Sequence, residues 1–160
     1  MFFRKKETFN VDTFWHDYEA KINEKVLAKS LGQYLRGWAE YTQPLWGLAI
    51  ATSGGFRFHH FPHEGWITAL SRITSGADAP KEKTFFIPQE AIQSVDLMVE
   101  KRWWKKLLTP SNPMLIIRCR VTGTETEVVI ETDRSAKDVA DALKNQFVPP
   151  VPSPDGATAG

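Results

Sequence analysis

Thiol chemistry is almost absent from the 160-residue chain, which has one cysteine, Cys119. A single thiol excludes an internal disulfide and a zinc site made of four cysteines, and it suits a reducing compartment. Charge of one sign is lacking too: 20 lysines and arginines stand against 19 acidic residues, a formal net charge of +1. No global field therefore draws the chain to nucleic acid or to an anionic membrane, and a basic contact has to be a local patch. No apolar run reaches about 18 residues, the length needed to span a bilayer as a helix. The opening MFFRKKETFNVD carries a basic cluster without the apolar stretch of a secretory leader, and Phe2 stands where myristoylation requires glycine. A cytoplasmic protein that binds no nucleic acid is the expectation.

What is present suffices for one core. Hydrophobic residues make up 42% of the chain, enough for a single domain at this length, whereas two domains would each be short of interior. Between Asn10 and Leu27 the residues Val11, Phe14, Trp15, Tyr18, Ile22 and Val26 recur at three and four positions. That spacing predicts an amphipathic helix over about Asp12–Glu24, capped by Asn10 or Asp12, with Gly32 past its end supplying a residue tolerant of positive φ.

From Lys25 onward the pattern shifts to short aromatic and β-branched segments separated by glycine, proline and small polar residues, the signature of a sheet. Strands are expected at Val26–Thr42 with a break near Gly32 or Gly37, then Leu45–Thr52, Phe56–Phe61, Trp66–Ser71, Thr84–Ile87, Ser94–Lys101, Trp103–Leu108, Met114–Val121 and Glu127–Thr132. Ser53-Gly54-Gly55 reads as a hairpin turn, because glycine adopts positive φ cheaply. Alternation puts Val95, Leu97 and Val99 on one face, and likewise Leu115, Ile117, Cys119 and Val121, leaving Arg118 and Arg120 on the other.

Thr74–Lys83 has no apolar side chain larger than alanine and reads as a mobile loop. A second helix, Ala136–Phe147, opens on Ser135 and Asp138 as a capping-box variant and lies across the sheet. From Pro149 the chain is rich in proline and is expected to be disordered, its Pro-x-x-Pro match being part of a solvated tail. The expected organisation is a helical extension over residues 1–24, a domain over residues 25–148 and a tail over residues 149–160.

About seven antiparallel strands closed by one C-terminal helix is the element order of the pleckstrin-homology-like superfold. The wording agrees: Glu24, Val26 and Leu27, then Leu48, Ile50 and Thr52, then Phe56 and Phe58 resemble the opening of GRAM-type and bacterial PH domains. Phe86-Ile87-Pro88 followed by Ile92, Ser94 and Val95 resembles a strand entry of the same family. The resemblance covers roughly Glu24–Phe147. It implies a mostly-β α+β fold, a sandwich or barrel of two bent sheets with the last helix plugging one open end, and the N-terminal helix as an addition. It further implies a binding module, for headgroups in some members and for peptides or proteins in many. The family's phosphoinositide pattern needs basic residues where the first two strands join, and here Tyr41, Thr42, Gln43, Pro44, Leu45 and Trp46 offer none.

The densest unusual segment is Lys101, Arg102, Trp103, Trp104, Lys105 and Lys106, four cations interleaved with two indoles. Such a segment can hold phosphates with its cations while the indoles meet a lipid interface, which makes it the candidate binding segment and implies salt-sensitive attachment to anionic vesicles. The plainer reading sends one tryptophan into the core and lets the lysines solvate an edge strand. His59, His60, His63 and Glu64 form the one histidine cluster, a donor set known for zinc or nickel. Adjacent His59 and His60 point to opposite faces of a strand, however, so the cluster reads as a polar hairpin end and no metal or other cofactor is expected.

No serine or cysteine has a local base and orienting group, and the glycines at 54 and 55 lack the lysine of a phosphate loop. Glu127, Glu131 and Asp133 lie on or beside an outward-alternating strand, a solvated face rather than an acid and base pair. A non-catalytic module contacting a protein or peptide partner, or a second copy of itself, is the reading these residues favour. The contact surfaces it offers are an open sheet edge, the Trp103–Trp104 region and the N-terminal helix. Membrane-surface attachment through Lys101–Lys106 is the alternative, and a ligand cavity inside the barrel the third.

Overall fold

A computed structural model of the chain describes residues 10–60, 83–99, 102 and 112–146. Two helices and seven strands follow in the order α1 (Val11–Ile22), β1 (Val26–Arg36), β2 (Leu45–Thr52), β3 (Gly55–His60), β4 (Thr84–Pro88), β5 (Ile92–Met98), β6 (Met114–Val121), β7 (Thr124–Thr132) and α2 (Ala136–Asn145). A single 3₁₀ turn, Gln89–Ala91, joins β4 to β5. The expected strands Trp66–Ser71 and Trp103–Leu108, the loop Thr74–Lys83 apart from Lys83, and the tail from Pro149 lie outside the described residues.

Every strand pairing is antiparallel, in the spatial order β4-β3-β2-β1-β7-β6-β5. The order makes β4 and β5 the two edges, yet only Gln89–Ala91 separates them in sequence. Laid flat, the edges would stand about 29 Å apart at the usual strand spacing, and the connection from Pro88 to Ile92 reaches about 14 Å at most. The sheet must therefore curl until its edges approach. Among the described residues β4 and β5 do not pair, so the expected barrel is a curled sheet left unclosed.

The inside of the curl is one apolar cluster. Tyr34, Phe56, Phe58, Ile87, Leu115, Ile117, Val128 and Ile130 meet Val139, Ala140 and Leu143 of α2 there. Alternation put Leu115, Ile117 and Cys119 on this face, and all three are fully buried. β2 reads as a near-continuous apolar run because both of its faces are covered, Ala49 and Ala51 by the core and Leu48 and Ile50 by α1.

α1 thus docks on the outer face of its own sheet, with Phe14 and Tyr18 buried against Leu48 and Ile50. Asn10 caps its start by accepting the Asp12 and Thr13 N–H groups. Its end is set by Asn23 at φ 54, not by Gly32, which lies within β1 between Gly47 and Thr132. Behind Asn23, Glu24 takes a bidentate ion pair from Arg57, at 2.6 and 3.1 Å, and a hydrogen bond from the Thr52 hydroxyl. The Arg57 bonds hold the Glu24 carboxyl below its ordinary range. Arg57 in turn stacks on Phe86 at 4.1 Å. This group fastens the exit of α1 to the β2–β3 hairpin.

α2 begins as expected at Ala136, but its cap differs. Ser135 makes no side-chain cap bond; Asp133 Oδ1 accepts the Ser135 N–H at 2.8 Å and the Ser30 hydroxyl at 2.8 Å. Burial alone would raise the Asp133 carboxyl, and the bonds from Ser135, Ser30 and the backbone outweigh it, leaving it below its ordinary value. An exposed but hydrogen-bonded carboxylate ties β1 to the entrance of α2, on the solvated side expected of it.

Removing the Phe14 ring tests the docking of α1. Phe14→Ala leaves a void between helix and sheet and lowers the unfolding free energy by about 3 kcal/mol in urea titrations; a change under about 1 kcal/mol contradicts the packing described here.

Candidate functional site

Of the candidate segment Lys101–Lys106, only Arg102 falls within the described residues; Lys101, Trp103, Trp104, Lys105 and Lys106 lie outside them. The segment joins β5 to β6, whose ends Met98 and Met114 are paired. That end of β6 is the opposite one from the β6–β7 turn.

The outer face of β5–β6–β7 carries a charge ladder. Asp96, Arg118, Glu127 and Arg36 link in series at 3.1, 3.1 and 2.9 Å, and Arg120 pairs with Glu125 at 2.5 Å. Arg118 stands opposite Glu127 and Arg120 opposite Glu125 in the register, so the strands themselves align unlike charges. Exposed pairs add little stability, but they cancel the local field. Glu127 therefore lies on the solvated face expected of it, and the face offers no uncompensated cation row.

The histidine cluster divides. His59 faces α1, where its Nε2 and the Tyr18 hydroxyl are hydrogen-bonded and the two rings meet edge to face at 5.3 Å. His60 Nδ1 bonds the Trp46 carbonyl at 2.8 Å. Each imidazole is engaged separately, while His63 and Glu64 lie outside the described residues. Burial pushes the His59 imidazole down to about 4, with the charges of Arg57 and Lys21 adding to it. Cys119 is buried, and burial pushes its thiol up, away from the reactive thiolate.

The edge of β4 is blunted. The bonds from His60 N to Lys83 O, at 3.0 Å, and from Gln89 N to Gly54 O, at 2.9 Å, fix which residues face β3. By alternation Phe85 and Ile87 also face it, and Thr84, Phe86 and Pro88 turn their backbone groups to the open side. Tyr41 donates its hydroxyl to the Thr84 carbonyl at 3.0 Å, and Pro88 has no N–H. Among the described residues of β4, Phe86 alone keeps both groups for an added strand, too few to anchor one.

A cleft of about 340 Å³ opens where the β1–β2 connection meets the β6–β7 turn. Gly37, Trp38, Ala39 and Glu40 form one wall; Val121, Thr122, Thr124 and Thr126 form the other. The first wall is pinned from beneath. Tyr34, fully buried, accepts the Trp38 N–H at 2.7 Å, and its hydroxyl faces the carbonyls of Tyr41 and Trp38 at 3.0 and 3.2 Å. The Trp38 indole lies flat on Phe85, 4.6 Å between centroids and 12° between planes. Gly37 has φ +111, and a β-carbon there would sit 2.0 Å from the Glu127 carbonyl oxygen, so the β1–β2 connection touches β7 through a residue only glycine can fill. Thr126 donates to the Gly37 carbonyl at 2.7 Å and closes the base. The second wall turns on Thr122 and Gly123, with φ 50 and 80.

This cleft was not found in the sequence. Reading strand on both sides of a break near Gly32 or Gly37, as far as Thr42, hid it, since β1 ends at Arg36 and residues 37–40 make the wall. Gly37 directly before Trp38, and the Thr122-Gly123 pair between two apolar segments, are the signals that mark it.

No protein-family model matches the chain, and no curated protein matches it significantly. Among solved structures, the crystal structure of the C-terminal domain of an unknown protein from Leishmania infantum overlays with a TM-score of 0.46 at 9% identity, covering 86% of this chain and 98% of that one. Among the described residues no helix is long and apolar enough to cross a membrane.

Acid tests the contact between α1 and the sheet. The folded His59 holds its proton less tightly than the unfolded chain's usual value near 6.5, so its contribution is whole above that pH and drains away as pH falls towards about 4. Wild type loses about 3 kcal/mol more than His59→Gln across that window, read by denaturant titration at each pH. Parallel pH profiles for the two proteins contradict the burial of a neutral imidazole.

Proposed function

We propose that the chain is a non-catalytic binding module of pleckstrin-homology-like architecture, and that it holds a segment of a protein partner in the cleft beside Trp38. The architectural reading is supported by seven antiparallel strands curled around one core with a C-terminal helix packed inside the curl. The non-catalytic reading is supported by how the titratable groups are used. Glu24 serves Arg57, Asp133 serves the entry of α2, His59 serves Tyr18, and the carboxylates at 96, 125 and 127 serve the ladder.

Of the contact surfaces expected from the sequence, α1 spends its apolar face on its own sheet and β4 has a blunted edge. Among the described residues the β5 edge and the cleft stay open, and of the two the cleft is the concave one. The observation that carries the reading is its pre-set wall: an indole stacked on Phe85 and a backbone anchored on Tyr34 lose little freedom when a guest arrives. Its volume lies at the low end of the range for ligand sites, about 300–1,000 Å³, the scale of a side chain or two rather than a cofactor.

Panning a displayed library of random heptapeptides against the full chain tests this. Thr124 is exposed at the start of β7, so Thr124→Trp fills the cleft without touching the core. Enriched peptides should bind wild type and lose more than tenfold in affinity for Thr124→Trp. Absence of enrichment, or equal binding to both proteins, overturns the proposal.

A further inference from the structure

Building on the peptide-holding reading of the cleft, we infer that its guest is the side chain of a lysine or arginine, with Glu40 pairing the cation and Trp38 lying along the aliphatic stem. Glu40 is the one ionisable residue in the lining. It stands exposed on the rim, and no hydrogen bond or ion pair engages it among the described residues. The contrast with its neighbours is what points to a ligand. On the adjoining strands Glu125 and Glu127 are each taken by arginines of the protein, and the cations closest in sequence and fold are committed elsewhere. Arg36 is held by Glu127 at 2.9 Å, and Lys83 lies over the Tyr41 ring at 5.8 Å. The Glu40 charge is felt locally: burial raises the Tyr41 phenol, and Glu40 raises it further.

The rest of the lining suits a cationic side chain with a long apolar stem. One face of the Trp38 indole is taken by Phe85, which leaves the ring's remaining surface to line the cleft. An indole attracts a guanidinium or ammonium laid against it and also covers methylene groups. Opposite, Val121 supplies apolar contact, and the Thr122 and Thr124 side chains supply hydroxyl groups suited to an N–H donor or a peptide backbone. An acidic or phosphorylated guest would meet a carboxylate and no cation.

An array of immobilised heptapeptides, mixed at every position except a central one fixed in turn as each of the 20 amino acids, reads the preference directly. Wild type should give its strongest signal with central arginine and lysine, at least threefold above central glutamine or glutamate. Glu40→Gln should lower the arginine signal about fivefold, the size expected of a rim ion pair, and Glu40→Lys should move the preference to acidic centres. A signal indifferent to charge at the centre, or one favouring apolar or acidic centres with wild type, overturns the inference while leaving a peptide-binding cleft in place. A blank array overturns both. Circular dichroism of each variant, unchanged from wild type, assigns the loss to the cleft and not to the fold.

Discussion

A phenol hydroxyl buried at the far end of β1 governs the part of this protein that faces a partner. Tyr34 belongs to the core, its ring tilted against Phe58 and edge-on to Phe85, and carries its one polar side-chain atom to the underside of the β1–β2 connection. A hydroxyl sealed from water without partners costs about 1–3 kcal/mol, so its position is stable only while the backbone of residues 38 and 41 is there to meet it. The constraint acts in both directions. The core fixes the connection, and the connection satisfies the core. Trp38 and Glu40 then take their places on the cleft wall as a consequence of how the interior is packed.

The same strand carries the topology. Residues Gly32, Gln33 and Tyr34 pair with β2 on one side and β7 on the other, and a bulge follows between Tyr34 and Arg36. Here the two halves of the sheet share a backbone, and the curl brings the β1–β2 connection against the β6–β7 turn. On the far face of the first half, α1 covers Leu48 and Ile50, while Glu24 and Arg57 clamp its exit. That helix supplies a third layer over β2, which explains why the run Leu48–Ala51 can be apolar on both faces and yet be buried.

Much of this was legible because period-two alternation is a direct imprint of burial. Val95, Leu115, Ile117 and Cys119 face the core, and Arg118 and Arg120 face water, as their spacing implies. Helix α1 was legible, with Asn10 one of the two caps its sequence offered. The failures share a cause, which is that local pattern is blind to distant partners. Residues 37–42 look strand-like by composition, but Tyr34 pulls their backbone into a turn. Asn23 outranks Gly32 as the helix terminator because Gly32 is needed inside β1, where a β-carbon would come within 2.7 Å of the Glu131 carbonyl oxygen. Asp133 displaces Ser135 as the cap of α2 because Ser30, 103 residues away, holds it in place. A cleft built from two connections leaves no periodic trace at all.

Amide hydrogen exchange at Trp38 tests the pinning of the cleft wall most directly. Its N–H lies in a connection rather than a strand, and its hydrogen-bond acceptor is the Tyr34 hydroxyl. The account predicts that this amide exchanges as slowly as those of β2 and β3 in wild type, and that Tyr34→Phe speeds it by about a hundredfold while the strand amides keep their protection. Rapid exchange at Trp38 in the wild-type protein, at the rate of an open loop, would contradict it.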